Sequence, residues 1–489
     1  MILSSSALAE GNSPLFSSSA IGFQQINSLK VNMSNTSEIV DQQQTTNVSV
    51  AIVGGGLAGM SAAWELFNAG IRSLVVLEGN DYVGGRTFNR VHSKINYLEM
   101  GGTWVGATQT AVLELAQQFG IQTKDGKVDG PTMYGYQNTW TVIERLPDEH
   151  SSLAQQDFAQ ISAKFELLSQ TVSVEAPWTT PNAIELDHIT AGDWIAQNTT
   201  TAEARTWIES RIRHRIAGNL NQVSLLFLLY FIRTRDTGFY SFQWDETAYR
   251  LIGGTHTITL KIAERLGDRV RLNNRVRRIT DYHSDGVCLT TDQGIIHAKY
   301  VIVAMMPKDA GKIHFNPPLP EHHQALIDGW QQTSWIKFYT IYPRPLWWGK
   351  VESGHFYCME PQIEVFDASP LDGSHGLLIG FFDPKYSYLD ETERRSLAME
   401  ALSKIFIAEA AHPDEYVEID YNKQAWTGGC VAALPPGLLT QSGHALREPV
   451  GRIYWAGTER SMRWMNYMDG AVRSGQYAAQ QILSRMTLT

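Results

Sequence analysis

The chain changes character near Asn47. Before it lie 46 residues rich in Ser, Asn and Gln, with almost no charge and no apolar period. They read as a mostly disordered tail. "VSVAIV" (Val48–Val53) then alternates and is β-branched, which predicts a strand. Glycines follow at Gly54, Gly56 and Gly59, and Leu57, Met60, Trp64 and Phe67 recur at helical spacing until Gly70 stops the helix. A second strand, "SLVVLE", ends at Glu78. "VSLLFLLYFI" at 223–232 is the longest apolar run. It is too short to span a bilayer and predicts a buried helix. Farther on, a strand is expected over Tyr300–Ala304, and Ser284-Asp285-Gly286 and Asp292-Gln293-Gly294 are turns of a β-meander. Near the end, residues 452–456 read as a short strand. Val472, Gly475, Ala479, Ile482 and Met486 line one face of a last helix starting near Gly470.

Composition narrows the function classes. A length of 489 residues suggests two domains. A net charge of −10 argues against a nucleic-acid surface, which needs a basic patch to release counterions. Three cysteines make no disulfide framework and favour a reducing compartment. The tail lacks the basic and apolar regions of a signal peptide, and the first arginine is Arg72. A soluble cytoplasmic protein is expected, with the peroxisome left open and no transmembrane anchor.

The glycine turn carries the first chemistry. Gly54 permits the tight turn, Gly56 lets backbone approach a pyrophosphate, and Gly59 lets helix pack on strand. The helix N-terminus offers free N–H groups to phosphate. Glu78, 24 residues after Gly54, can accept from ribose hydroxyls. "VGGRT" then brings Gly84, Gly85 and Arg86, whose guanidinium can reach the same pyrophosphate.

This run, with "EMGGTWVG" at 99–106, resembles the FAD-binding start of the flavin amine oxidases. The resemblance implies cofactor contacts at Gly101, Gly102 and Thr103. One departure is Glu78-Gly79-Asn80 where the family usually reads Glu-Ala-Arg, so an arginine near the adenosine is expected to be missing or replaced. "WTGGCVAALPPG" at 426–437 and "RIYWAGTERSMRWMNYMDGAVRSGQ" resemble the cysteine segment and terminal motif of monoamine oxidases. That implies a thioether from Cys430 to the flavin 8α carbon. It also places Glu459 on ribityl or ribose hydroxyls, Val472 at the cofactor, and Val276 against the adenine. Trp426 is either packed on the flavin or ordinary core. "KIHFNPPLP" resembles the same family, which makes Lys312 the candidate catalytic lysine, reaching flavin N5 through a water. An aromatic pair steers the amine in monoamine oxidases. Here Tyr467 matches one ring and Val431 stands where the other would be, which implies a wider or more aliphatic pocket. Looser likeness in the middle, such as "APWTTPNA" at 176–183, is to cyclohexylamine-type oxidases.

The expected fold is α/β, with a discontinuous Rossmann-type FAD-binding domain (47–120, 248–312, 424–489) and an inserted α+β substrate domain (121–247, 313–423). The expected reaction is oxidation of a primary amine by FAD with molecular oxygen, giving aldehyde, ammonia and hydrogen peroxide. A polyamine oxidase would want acidic residues at the cavity mouth. An L-amino-acid oxidase would want an arginine such as Arg460 or Arg463. A non-catalytic flavin-binding protein is the alternative of another class. Dimers are common in the resembled family, so a homodimer is an open expectation. No metal site is expected.

Overall fold

A computed structural model of the protein describes residues 45–487 apart from 127–129, 131, 137–138, 143–151, 236–237, 240–246 and 352. The expected tail thus lies outside the described residues except for Thr45 and Thr46, which are already paired in the first strand. The strand Thr45–Val53 runs parallel to Leu74–Leu77 on one side and to Gly294–Val303 on the other. Its last four residues are buried, as a parallel strand covered on both faces requires. The sheet continues outward through Val287–Thr291, Val276–Thr280 and His314–Asn316, with Val270–Arg271 at the opposite edge and Ile453–Trp455 against Gly294–Val303. His314–Asn316 therefore belongs to this sheet, and a domain boundary at residue 312 falls short of it. Its strand rides on the meander that the two turns had marked.

The glycine turn opens the helix Leu57–Asn68, which packs on the C-terminal helix Met468–Thr487. Their contact is backbone-close: a Cβ on Gly475 would lie 2.1 Å from the carbonyl oxygen of Ala58. Gly59 packs as closely on the turn before it, where a Cβ would lie 2.0 Å from the Gly54 oxygen.

A second, largely antiparallel sheet runs in the order Glu415–Asp420, Ile336–Tyr342, Gly376–Phe382, Gln362–Asp367, His355–Met359, Met133–Tyr136, Thr139–Val142. Directly opposed residues share a face. One row therefore crosses four strands: Lys337 faces Phe381, Phe381 faces Glu364, and Glu364 faces Tyr357. The next row on that face is Tyr339, Ile379, Phe366 and His355. The helix expected at 223–232 spans Leu225–Arg233, capped by Ser224, whose hydroxyl accepts from the Phe227 amide at 3.1 Å. Leu225 through Ile232 are all buried. Among the described residues, no helix is long and apolar enough to cross a membrane.

Candidate active site

The ends of the parallel strands open into a cleft of about 350 Å³. Gly54 turns at φ +104°, in the region that favours glycine, and a Cβ there would lie 2.7 Å from the Ala304 carbonyl. Glu78 closes the second strand. Its Oε2 accepts from the Gly55 amide at 2.7 Å, and its Oε1 from the Asn80 amide at 2.8 Å. Burial nevertheless outweighs these bonds and raises its pKa. Arg86 enters from the second glycine turn. Its Nη1 donates to Glu459 Oε1 at 2.5 Å and to the Cys430 carbonyl at 2.7 Å. Burial opposes the Arg86 charge, and Glu459, itself fully buried, more than restores it.

A second cavity, of about 290 Å³, lies over the antiparallel sheet. Gly102, Cys430, Asn466 and Tyr467 line both spaces, so the cleft and the cavity meet there. Chain features hold this junction rigid. The Cys430 amide donates to the Thr333 carbonyl at 2.9 Å, within a short ladder that opposes Thr333 and Val431. Thr458 Oγ1 donates to the Tyr467 carbonyl at 2.6 Å. Trp464 and Asn466 both adopt left-handed φ, 53° and 67°, which costs energy in non-glycine residues and tends to mark functional segments. The Tyr467 ring is stacked on Phe231 (6.2 Å, 4°) and meets Trp464 edge-on at 5.1 Å. Val431 joins Cys430 and Tyr467 in the lining. The Leu225–Arg233 helix backs Tyr467 through Phe231.

The lysine expectation needs correction. Lys312 is the candidate catalytic lysine that the resemblance implies, but its side chain is 44% exposed. Its Nζ donates to Asp309 Oδ1 at 2.7 Å and to the Ala425 carbonyl at 2.9 Å, at the rim of the cleft. The desolvated lysine is Lys337. It lines the second cavity with Cys430, and its Nζ donates to the carbonyls of Glu99 (2.5 Å) and Gly101 (2.8 Å) and to Thr103 Oγ1 (2.6 Å). Burial lowers its pKa from 10.5 to about 7, with Glu99 opposing and the Arg250 charge assisting. The signal was present in "SWIKFYTIY": a single cation in an entirely buried strand whose other residues, Thr340 apart, are apolar or aromatic.

Comparison with known proteins agrees with this geometry. The family model described as flavin containing amine oxidoreductase matches residues 57–483. The chain belongs to that family. The AofH chain of Mycobacterium tuberculosis is 36% identical over 440 residues, covering 89% of this chain and 96% of its own. Flavin-containing amine oxidase B of Canis lupus familiaris is 32% identical over 449 residues, covering 89% and 86%. Among solved structures, cyclohexylamine oxidase from Brevibacterium oxydans aligns with a TM-score of 0.85 at 29% identity, covering 90% of this chain and 99% of that one. The protein is thus an FAD-dependent amine oxidase of α/β fold, as the sequence led us to expect.

The residues present in this amine oxidase suit FAD. Glu459 Oε2 and Asn466 Nδ2 are buried polar atoms with no protein partner, at or beside the junction. The cleft runs from Glu78 through Gly56, Gly84 and Arg86 to Cys430, with Val276 on its wall. Arg275 lines the Glu78 end of this cleft, where the sequence departs from the family pattern. Its guanidinium lies 5.1 Å over the Trp426 ring and pairs with Asp292 at 2.5 Å. Gly79 makes room, since a Cβ there would come within 3.0 Å of Arg275 Cγ. Trp426 accordingly sits at the Glu78 end of the cleft, away from the junction. The Gly101 carbonyl and Thr103 Oγ1 accept from Lys337 Nζ. Val472 is a correction: its side chain is fully buried in the core, while Met468 and Ala471, at the start of the same helix, line the cleft. A step of one residue turns a helical side chain by about 100°. Arg460 is also committed elsewhere, donating to the carbonyls of Ala445 (3.3 Å) and Leu446 (2.6 Å).

Proposed function

We propose that the protein oxidises a primary amine to an aldehyde, with release of ammonia and hydrogen peroxide. The observation that carries this reading is the junction of two cavities at Cys430, Asn466 and Tyr467. A group in the cleft and a molecule in the cavity would touch only there. Bound FAD supplies the two-electron acceptor that takes hydride from the amine carbon and passes electrons to oxygen. The chain's own residues do the rest. The apolar cavity favours the neutral amine, whose nitrogen lone pair assists hydride loss. The Tyr467 ring face orients that nitrogen, and Val431 leaves the opposite side open to an aliphatic chain. Lys337 Nζ, with its pKa near 7, can hold or pass a proton or a water at the junction; this is the role first assigned to Lys312. Arg86 and Glu459 orient the cleft's hydrogen-bonding groups.

Covalent attachment through Cys430 belongs to the same proposal. Of the three free cysteines, only Cys430 lines these cavities. Burial raises its thiol pKa and the Arg86 charge opposes that rise. Acid precipitation tests the bond. Yellow colour in the pellet is expected; colour left in the supernatant refutes it.

The test of function is peroxide release across alkylamines, benzylamine, phenethylamine, spermine, putrescine and L-amino acids. Turnover of primary monoamines is expected. Activity confined to polyamines or amino acids would move the protein to a neighbouring specificity, and a flavin left oxidised by every amine under anaerobic conditions would refute catalysis.

A further inference from the structure

Two short segments outside both cavities bring four metal-ligating side chains together. The helix Glu321–Gly329 carries His322 and His323 in its first turn, where the His323 amide donates to the Pro320 carbonyl at 2.9 Å. It packs on the turn Gly443–Leu446, which carries His444. The Glu448 amide donates back to the His444 carbonyl at 3.2 Å, a helical spacing that sets these two side chains on one side of the chain. One ring nitrogen each of His322 and His323 and one carboxylate oxygen of Glu448 lie within 4.8 Å of one another. His322 Nε2 is 3.1 Å and His444 Nε2 3.9 Å from the same oxygen, Glu448 Oε2. None of the four residues lines the cleft or the second cavity.

His323 is the fixed member of the cluster. It is 3% exposed and packs on Trp455 with ring centroids 5.6 Å apart. Its Nε2 stands 3.1 Å from the Glu448 carbonyl oxygen. A carbonyl only accepts, so Nε2 carries the proton and Nδ1 a lone pair. That nitrogen is buried and has no protein partner. Leaving such an acceptor bare costs free energy, and a second proton placed there would find no acceptor of its own. A ring tied to a backbone carbonyl through one nitrogen and bare at the other is the arrangement of metal-binding histidines, because the tied nitrogen fixes tautomer and orientation. The Arg460 guanidinium also lies over Trp455, but it is turned to the carbonyls of Ala445 and Leu446. His322 and His444 are half-buried and Glu448 is exposed, which leaves them freedom to rotate and gives an ion its path of entry.

We propose that His322, His323, His444 and Glu448 bind a divalent transition metal of the zinc class. Three imidazoles and one carboxylate are enough to close a tetrahedron around Zn(II), whereas Mg(II) and Ca(II) take oxygen ligands. Ligand atoms on one tetrahedral zinc stand roughly 3.3 Å apart, a spacing that His322 and Glu448 nearly hold already. Rotation of the three outer side chains closes the set on the buried His323. The ion takes the His322 Nε2 lone pair, and the proton now on Nε2 passes through water to Nδ1, so the ring stays neutral. His322 and Glu448 are 126 positions apart, so the ion staples the helix to the turn and stabilises the fold without entering the amine chemistry. The site departs from the expectation that no metal is bound, since only the packed helix brings the two segments together. It does not depend on the amine oxidase reading.

The experiment incubates the holoenzyme with EDTA, desalts it and titrates it with zinc chloride by calorimetry, with melting followed by tryptophan fluorescence. One equivalent of zinc is expected to bind with a Kd of about 1 μM or below and to raise the Tm. Excess magnesium is expected neither to raise the Tm nor to displace zinc. Glu448→Gln and His322→Ala are each expected to weaken zinc binding at least about tenfold, the scale on which even outer partners of a metal site act, and to lose the rise in Tm at the concentration that saturates the wild type. Both substitutions leave the buried His323 in place, and melting without zinc shows that the variants are folded. Zinc that binds the wild type and both variants equally sits elsewhere and overturns the inference. So does a wild type that binds no zinc up to about 100 μM, which is weaker than a four-ligand site allows, or a Tm that bound zinc leaves unchanged.

Discussion

Replacing Lys337 by methionine isolates the energy of one buried cation. Burial takes its pKa from 10.5 to about 7. At about 1.4 kcal/mol per unit, that is a penalty of about 5 kcal/mol on the charged form in the folded protein. Between the two pKa values the unfolded chain binds this proton and the folded chain does not, so stability rises with pH. The penalty is fully present below about pH 7 and is relieved as pH climbs toward 10.5. Lys337→Met removes the titration. It also abandons the acceptors Glu99 O, Gly101 O and Thr103 Oγ1, at a cost that does not vary with pH in this range. Every other group titrates alike in both proteins and cancels. Urea denaturation of both holoenzymes, followed by tryptophan fluorescence, should therefore show a difference that changes with pH. The wild type is expected to gain about 3 kcal/mol on the variant between about pH 7 and pH 9. Parallel stability profiles over that interval would refute the reasoning, because they would mean that Nζ titrates near its ordinary value despite its burial.

Three further outcomes follow from the geometry. Arg86→Gln leaves the Glu459 carboxylate buried without its cation and is expected to cost about 3–5 kcal/mol and much of the bound flavin; adding Glu459→Gln should restore part of the urea midpoint. Gly475→Ala forces a methyl against the Ala58 carbonyl and should destabilise the fold by about 1–3 kcal/mol, read from the same denaturation curves, with the two helices spread apart. Val431→Tyr adds a ring at the junction, and its kcat/KM for bulky or branched amines should fall at least about tenfold relative to short alkylamines, as in the loss of several methylenes of pocket space.

The legible parts of the site were local in the chain. The glycine turn, Glu78 and Arg86 lie within 33 consecutive residues, and their roles follow from one strand, one helix and their backbone needs. Cys430 and Tyr467 could be placed because each sits in a short motif with little freedom. Lys312 went wrong for the opposite reason. Its surrounding motif is real, but which of two lysines is desolvated depends on the strand that covers it. Val472 failed on a helical phase that only the docked helix sets. Arg275 was not foreseen, since it comes from a strand pairing almost 200 residues beyond Gly79.

By itself the sequence determined the βαβ unit that opens the cleft, and it marked Cys430, Val431 and Tyr467 within short motifs, because hydrophobic period and glycine conformation act over a few residues. Tertiary structure alone decided what is buried and what meets what. Desolvation acts through space: it singled out Lys337 over Lys312 and set the Arg86 guanidinium against the buried Glu459, and the strand pairing brought Arg275 beside Gly79 and Trp426. It also laid Lys337, Phe381, Phe366 and His355 across four strands of one sheet face, since register, unlike composition, exists only once the strands have paired.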